Sequence, residues 1–270
     1  MLKGVALVLE RILQSRITEC TAIRVVSTHR VTPHMLRVTF VGKNLEAFAT
    51  NENLHVKLFI PPAGAPRKNW LSVRPDGKSD LHADDRERIV RRYTIRRIDA
   101  SAGALDIDFV LHEDGGPGSN WAAQAQEGDL LGMIGPGGRG LATADWYLIA
   151  ADETALPAVG RMLDTLPADA KGHILVEIAD KAEEQPLNAP RGMSLRWLHR
   201  NGAPAGTTAL LYEAVKAAPW AEGGGKIFAW VGAEFSAAQE IRRHLEKDRR
   251  LHKSEQLVVA YWRRDAALTE

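Results

Sequence analysis

The hydrophobic and polar positions of this chain follow two rhythms, and the change between them falls near residues 140–145. In the first part, apolar residues alternate with polar ones over short runs. Residues 21–41 read as two strands rich in Val, Ile, Thr and Phe about the turn Thr32-Pro33. Residues 54–60 alternate and stop at Pro61-Pro62. Residues 63–88 are polar, with Pro, Gly and several charges, and predict a long surface excursion. Two further strands, 91–98 and 105–112, are joined by Asp99-Ala100-Ser101-Ala102-Gly103-Ala104. In the second of them Leu105, Ile107, Phe109 and Leu111 point one way, and Asp106, Asp108, Val110 and His112 the other. Residues 129–134 form a last short strand, ended by Gly135-Pro136-Gly137-Gly138. Many short strands with polar turns predict an antiparallel β-barrel.

After residue 143 buried-type strands alternate with helical spacing. Strands are predicted over 146–150, 173–178, 194–198, 226–231 and 256–261, and helices over 154–166, 207–217 and 236–249. Strands alternating with helices indicate a mainly parallel sheet. The expected architecture is therefore two-domain: an N-terminal antiparallel β-barrel over residues 18–141 and a C-terminal α/β domain with a mainly parallel sheet over 145–265.

Composition narrows the function classes. The 270 residues are 45% hydrophobic and 26% charged, as in soluble globular proteins. No apolar run reaches the roughly 18 to 20 residues that span a bilayer, so membrane insertion is not expected. The apolar patch Gly4-Val5-Ala6-Leu7-Val8-Leu9 is ended by Glu10 and Arg11 too soon for a signal peptide, and the expectation is a cytoplasmic protein. Cys20 is the single cysteine, which excludes an internal disulfide and a cluster held by about four thiolates. If this chain moves electrons, an organic cofactor must carry them.

The net charge of +1 hides two basic clusters. One is Arg86, Arg88, Arg91, Arg92, Arg96 and Arg97; the other is Arg242, Arg243, Lys247, Arg249, Arg250 and Lys253. Aromatics are not interleaved with these charges, so an anionic small molecule fits better than nucleic acid. Solvated helix faces remain the plain alternative for the second cluster.

The candidate chemistry lies on Arg91-Arg92-Tyr93-Thr94-Ile95-Arg96. Arg91 and Tyr93 share one face of a strand. An Arg can grip a phosphate bidentately, a Tyr ring can stack on a tricyclic system, and Thr94 offers a hydroxyl. An exposed Arg-rich edge strand stays open as a reading for Arg92 and Arg97. Downstream, Gly116-Pro117-Gly118-Ser119-Asn120-Trp121 forms a glycine-rich turn. Ser119 is expected to N-cap a helix running to Gln126, whose free N–H groups would face a phosphate. Trp121 can serve as a packing anchor, and His112 just before the loop as a structural histidine. A ring at one end and a pyrophosphate at the other point to a flavin.

Further on, Asp152-Glu153-Thr154-Ala155-Leu156-Pro157 follows a strand and opens a helix, where nucleotide domains turn, although it lacks glycines. A simple helix cap by Asp152 or Thr154 is the alternative. Gly135-Pro136-Gly137-Gly138-Arg139-Gly140 matches G-x-G-x-x-G, but the next element is a strand rather than a helix, so it reads as a turn and linker. Neither G-x-S-x-G nor H-E-x-x-H occurs, and no metal-site spacing is present.

Taken in order, these segments resemble the siderophore-interacting protein family, flavin-dependent ferric-siderophore reductases of the ferredoxin-reductase-like superfamily. The resemblance runs from about residue 20 to 264. It is carried by Arg91-x-Tyr93-Thr94-x-Arg96, Asp108-Phe109-Val110-Leu111-His112, Gly116-Pro117-Gly118-Ser119-x-Trp121-Ala122, Gly128-Asp129 and Gly135-Pro136. In the second part it is carried by Asp152-Glu153-Thr154-Ala155-Leu156-Pro157-Ala158, Trp230-Val231-Gly232-Ala233-Glu234 and Tyr261-Trp262-Arg263-Arg264. It implies FAD on the barrel and a nucleotide-type second domain. Tyr93 would stack on the isoalloxazine, Thr94 bond near N5, and these two would be the catalytic pair. Arg91 would hold the ribityl or phosphate region, His112, Ser119 and Trp121 would surround the pyrophosphate, and Asp152 and Thr154 the adenosine side. Trp262 would approach the flavin. Arg242, Arg243, Lys247 and Arg249 would collect an anionic ferric siderophore. NAD(P)H is the expected co-substrate. This chain has Gly232-Ala233-Glu234 where the family often has Ala-Gly-Glu, and it lacks the superfamily's glycine-rich nicotinamide loop, so ferredoxin also stands as a donor. Two other readings remain: another flavin reductase of the superfamily, and a non-catalytic siderophore-binding flavoprotein.

Overall fold

A computed structural model describes residues 17–62, 64–82, 89–112, 115–221 and 225–264. The apolar patch at residues 4–9 and the side chains of Arg86 and Arg88 lie outside them. The chain divides into two compact units, the second beginning at Gly138 and taking in the short pieces Arg30–Met35 and Asn51–Leu54.

The first unit is built from β1 (Ile17–Thr32), β2 (Met35–Gly42), β3 (His55–Ile60), β4 (Lys78–His82), β5 (Ile89–Asp99), β6 (Ala104–Val110) and β7 (Leu130–Gly137), with α1 (Pro117–Ala123) between β6 and β7. The order β2-β6-β5-β3-β7-β1 closes on itself through a β1–β2 pairing, and β4 adds to β1 outside the ring. Six strands thus make a closed antiparallel barrel, which leaves no free edge among them. Alternation fills its interior: Ile23 and Val25 of β1, Val38 and Phe40 of β2, and Ile107 and Phe109 of β6 all pack in one core.

The opposite side of the β1 wall is apolar too. Cys20 and Ala22 point there and pack with Phe59, Leu71, Leu81 and Leu130. This corrects the expectation of a surface excursion over 63–88. Its described part carries a strand paired with β1 and two buried leucines, and the Trp70 indole N–H donates to the Leu130 carbonyl at 2.8 Å. The polar sequence hides this because an outer strand needs few apolar anchors. A second departure lies in β5. The register slips between Ile95 and Arg97, so Thr94, Ile95 and Arg96 are buried in succession where alternation would expose one of them.

The second unit contains β8 (Trp146–Asp152), α2 (Leu156–Leu163), β9 (Lys171–Ile178), β10 (Gly192–His199), α3 (Leu210–Ala217), β11 (Ile227–Glu234), α4 (Phe235–Lys247) and β12 (Gln256–Trp262). Its five strands are parallel, in the order β10-β9-β8-β11-β12. β8 and β11 are buried along nearly their whole length, as central parallel strands covered on both faces should be. Helices α3 and α4 bury one face each, Leu211, Ala214 and Val215 on one and Ala238, Ile241 and Leu245 on the other. The strand order reverses between β8 and β11, which leaves a crevice at the C-terminal ends of the strands. Among the described residues no helix is long and apolar enough to cross a membrane.

Candidate functional site

The sequence-predicted residues gather in two places, one in each unit. In the barrel, β5 carries Arg91, Tyr93 and Thr94. The half-buried Tyr93 ring lies 4.4 Å from the Phe109 ring, tilted by 44°. Its hydroxyl abuts Gly118 so closely that a Cβ there would overlap it. Burial pushes the Tyr93 phenol far above its ordinary range, opposed only by the Arg91 cation. The ring is therefore neutral, with a proton to donate. Thr94 is 4% exposed, and its Oγ1 has no hydrogen-bond partner among the described residues. A buried hydroxyl left unmatched costs about 1–3 kcal/mol, which a ligand group can recover. Arg91 uses one N–H on the Val90 carbonyl, at 2.7 Å.

Helix α1 starts three residues earlier than its sequence suggests. Gly116 is the N-cap, with no side-chain cap, and proline sits in the first turn. Ser119 is therefore not the capping residue. It is buried within the helix, where its Oγ accepts from the His112 backbone N–H at 3.3 Å. His112 itself is exposed. Trp121 is 4% exposed and sits in the core, parallel to Phe40 at 6.2 Å and tilted against Phe109 at 5.8 Å. Arg67 lies over its ring at 5.1 Å and ties its carbonyl to Asp129, a role that sequence reading missed. A neutral, half-buried phenol, an unpartnered hydroxyl next to it in sequence, and a glycine turn without a side-chain cap suit a planar, hydrogen-bonding, phosphate-bearing group such as FAD.

In the second unit the ends of all five parallel strands deliver polar side chains to one crevice: Asp152, Glu177, Arg200, Glu234 and Trp262. Asp152 is the hub. One of its oxygens accepts from the Thr154 N–H at 2.9 Å and from its hydroxyl at 2.5 Å; the other accepts from the Glu234 N–H and the Trp262 indole, both at 2.8 Å. Burial, and next the Glu153 carboxylate, push the Asp152 carboxyl up to about 7, against the hydrogen bonds that favour its charged form. Arg200 holds Glu153 through two bonds of 2.7 and 2.6 Å and stands 3.6 Å from Glu177. Glu177 accepts from the Thr208 hydroxyl and the Leu211 N–H, and burial raises its carboxyl. Glu234 caps α4 through the N–H groups of Ser236 and Ala237. Thr154 is not the cap of α2. Ala155 holds that place without a side-chain bond, because the Thr154 hydroxyl is turned to Asp152.

Asp152, Thr154 and Trp262 thus come together as one group. The four basic residues on and just after α4 do not. Arg242 donates to the Val258 carbonyl, and Arg249 lies 5.0 Å over the Trp220 ring. Arg243 and Lys247 are exposed, one helical turn apart. Sequence reading overlooked Glu153, Glu177, Arg200 and Glu234 as crevice residues. The signal was available in their positions, since each stands at or just past the C-terminal end of a parallel strand.

A closed antiparallel barrel followed by a parallel sheet that reverses order beside its first strand defines a ferredoxin-reductase-like fold. The particular family follows from sequence. Residues 24–140 match the model of the siderophore-interacting FAD-binding domain, and residues 144–265 that of siderophore-interacting protein. The chain is 32% identical over 237 residues to ferric vibriobactin reductase ViuB of Vibrio cholerae, covering 87% of this chain and 86% of that protein. A siderophore utilization protein from T. fusca superimposes with a TM-score of 0.82 at 40% identity, covering 94% and 96% of the two chains. The siderophore-interacting protein SipS from Aeromonas hydrophila gives 0.77 at 32% identity, with 93% of each covered. The chain belongs to the siderophore-interacting protein family.

Proposed function

We propose that this protein is a cytoplasmic flavin-dependent reductase of ferric siderophores, with residues 18–141 holding FAD and residues 145–265 receiving the electron donor, NAD(P)H. The observation that carries the flavin is the Thr94 hydroxyl, buried and without a partner among the described residues, one residue from a phenol that fits only against a glycine. FAD, when bound, supplies what no side chain here can: acceptance of a hydride and release of single electrons to Fe(III).

The residues of the chain bind, orient and exclude water. Tyr93 presents a neutral ring backed by Phe109, so that face stays dry and rigid. Thr94 offers its hydroxyl and Arg91 its remaining N–H groups to ring and phosphate oxygens. Ser119 fixes the backbone at His112, which keeps the glycine turn in place. Asp152 holds Trp262 and Thr154 at the strand ends, and Arg243 and Lys247 offer exposed positive charge to an anionic chelate. Ferric siderophores bind iron through hard oxygens, and the lower charge of Fe(II) loosens that grip, so the protein need not ligate the metal.

Purification under native conditions, followed by anaerobic titration with NADH, NADPH and reduced ferredoxin and by mixing with ferric siderophore in the presence of a ferrous-specific chelator, tests this reading. Flavin absorbance, bleaching by a nicotinamide and trapped Fe(II) are expected. A colourless protein whose apo form does not take up FAD sinks it, and a reduced flavin that ferric siderophore does not reoxidise makes the protein a carrier.

A further inference from the structure

We infer that the crevice at the strand ends of the second unit selects its nicotinamide donor by charge, accepting NADH and rejecting NADPH. The inference rests on the donor reading proposed above and adds to it the residues that discriminate.

The place follows from topology. Open parallel sheets take nucleotides at the carboxyl ends of their strands, where the order reverses, and a carboxylate at the end of the neighbouring strand pairs with a ribose diol, whereas an arginine accommodates a 2′-phosphate. Here the order reverses between β8 and β11, and the neighbour of β8 on the other side, β9, carries Glu177 one residue from its end. The lining contains four carboxylates, Asp152, Glu153, Glu177 and Glu234, against one cation, Arg200. Arg200 already spends two N–H groups on Glu153 and faces Glu177. Even with a proton held on Asp152, which burial favours, three acidic groups oppose one base. At the rim, the Arg264 N–H donates to Glu234 at 3.3 Å and its guanidinium reaches the Gly206 carbonyl at 3.4 Å.

The backbone gives a phosphate little help. The N–H groups that open α4 are occupied by the Glu234 carboxylate. The loop from β8 to α2 has no glycine, its Thr154 N–H is bonded to Asp152, and Pro157 has none to offer. A 2′-phosphate brings about −1.5 to −2 of further charge at neutral pH, as any phosphate monoester does. The dinucleotide lacking it meets the weaker repulsion, and its ribose diol can donate to carboxylates already turned into the crevice.

Two measurements on the full chain decide the matter. In calorimetry, ADP-ribose is expected to bind at least tenfold more tightly than its 2′-phosphorylated form at low ionic strength, with the gap narrowing as salt screens the carboxylates. In anaerobic stopped flow of the flavin-loaded protein, kcat/KM for NADH should exceed that for NADPH by the same order. Glu177→Gln, which keeps an oxygen to accept from Thr208 and Leu211, should narrow both gaps by improving the phosphorylated ligand. The wild-type comparison stands alone if that variant does not fold. Equal binding of the two ADP-riboses, a preference for NADPH, or binding of neither overturns the inference. Flavin reduced with dithionite and mixed with ferric siderophore reports on the reductase reading separately: reoxidation there preserves the reductase even if the donor inference falls.

Discussion

The two clusters are opposite in kind. In the barrel, the Thr94 hydroxyl and the Trp121 indole N–H are buried without a hydrogen-bond partner among the described residues, and the bare Gly118 leaves room for the Tyr93 hydroxyl. In the crevice, both oxygens of Asp152 are bonded, Glu153 and Glu177 share Arg200, and Glu234 is spent on a helix end. A ligand reaching the barrel cluster can bond to a hydroxyl that no described side chain or backbone group satisfies. A ligand reaching the crevice meets carboxylates already bonded to their neighbours, with the Arg200 Nε–H left over, and on the proposal above it would be sorted by its charge. The first kind of site fixes what binds tightly, and the second fixes what is turned away.

The largest expected effect breaks the crevice side. Arg200→Ala leaves Glu153 and Glu177 facing each other without their cation, and loss of one partner from a buried ion pair costs about 3–5 kcal/mol. Urea unfolding should show it, and adding Glu153→Gln should restore part of the loss, since one of the stranded charges is then removed. Next comes the barrel side. Gly118→Ala drives a methyl into the Tyr93 hydroxyl, at a cost of about 1–3 kcal/mol for overpacking, and flavin retention through gel filtration should fall with it. Gly116→Ala is the control two residues away. Among the described residues nothing lies within 4 Å of the Cβ it adds, so its flavin content should match the wild type. Equal loss in both variants would mean that the whole turn, rather than the Tyr93 approach, holds the cofactor.

The barrel was legible in the sequence because strands with one buried face alternate, and β6 does so from Leu105 to Phe109. The parallel sheet was legible because its central strands are uniformly apolar. β4 escaped because Leu81 is its one deeply buried apolar side chain. The burial of Arg96 escaped because a register slip has no signature in a single strand's pattern. Both mistaken helix starts had one cause. Ser119 and Thr154 look like caps, but each hydroxyl bonds to an atom that only the folded chain supplies or holds in place: the His112 N–H and the Asp152 carboxylate. Tyr93 and Thr94 stood out because aromatic and hydroxyl groups beside arginines are unusual on a strand. The Glu153–Arg200 pair spans 47 positions, and no local pattern announces it.

Acidity sharpens the contrast at a smaller scale. The folded chain holds a proton on Asp152 up to about pH 7, whereas the unfolded chain releases it near pH 4. Between those limits the native state binds the extra proton, so stability falls as pH rises through the window and levels off above it. The raised Glu177 carboxyl adds to the same slope. The contribution of one such group is at most about 1.4 kcal/mol per pH unit. Urea midpoints taken from pH 4 to 8 should show the decline, and Asp152→Asn should flatten it, leaving the share due to Glu177. A midpoint that climbs from pH 4 to 7 in the wild type would place Asp152 among ordinary ionised carboxylates and weaken the view of the crevice as a self-contained network.

The smallest effect is the most discriminating, because its sign differs between two states of one protein. Thr94→Val replaces the hydroxyl with a methyl of similar size. In the apo protein that hydroxyl is buried without a partner, so removing it relieves a desolvation cost, and the urea midpoint should hold or rise, by up to about 1 kcal/mol in stability. With flavin present the same hydroxyl is expected to bond to the ring, so the variant loses a hydrogen bond of about 1 kcal/mol, or roughly fivefold in affinity. The difference in midpoint between holo and apo forms should therefore shrink, even while the apo form becomes no weaker. A variant that destabilises both states alike would make Thr94 a packing residue. The barrel cluster would then resemble the crevice, a set of groups serving the fold, and the flavin would have to be held by Arg91 and the glycine turn alone.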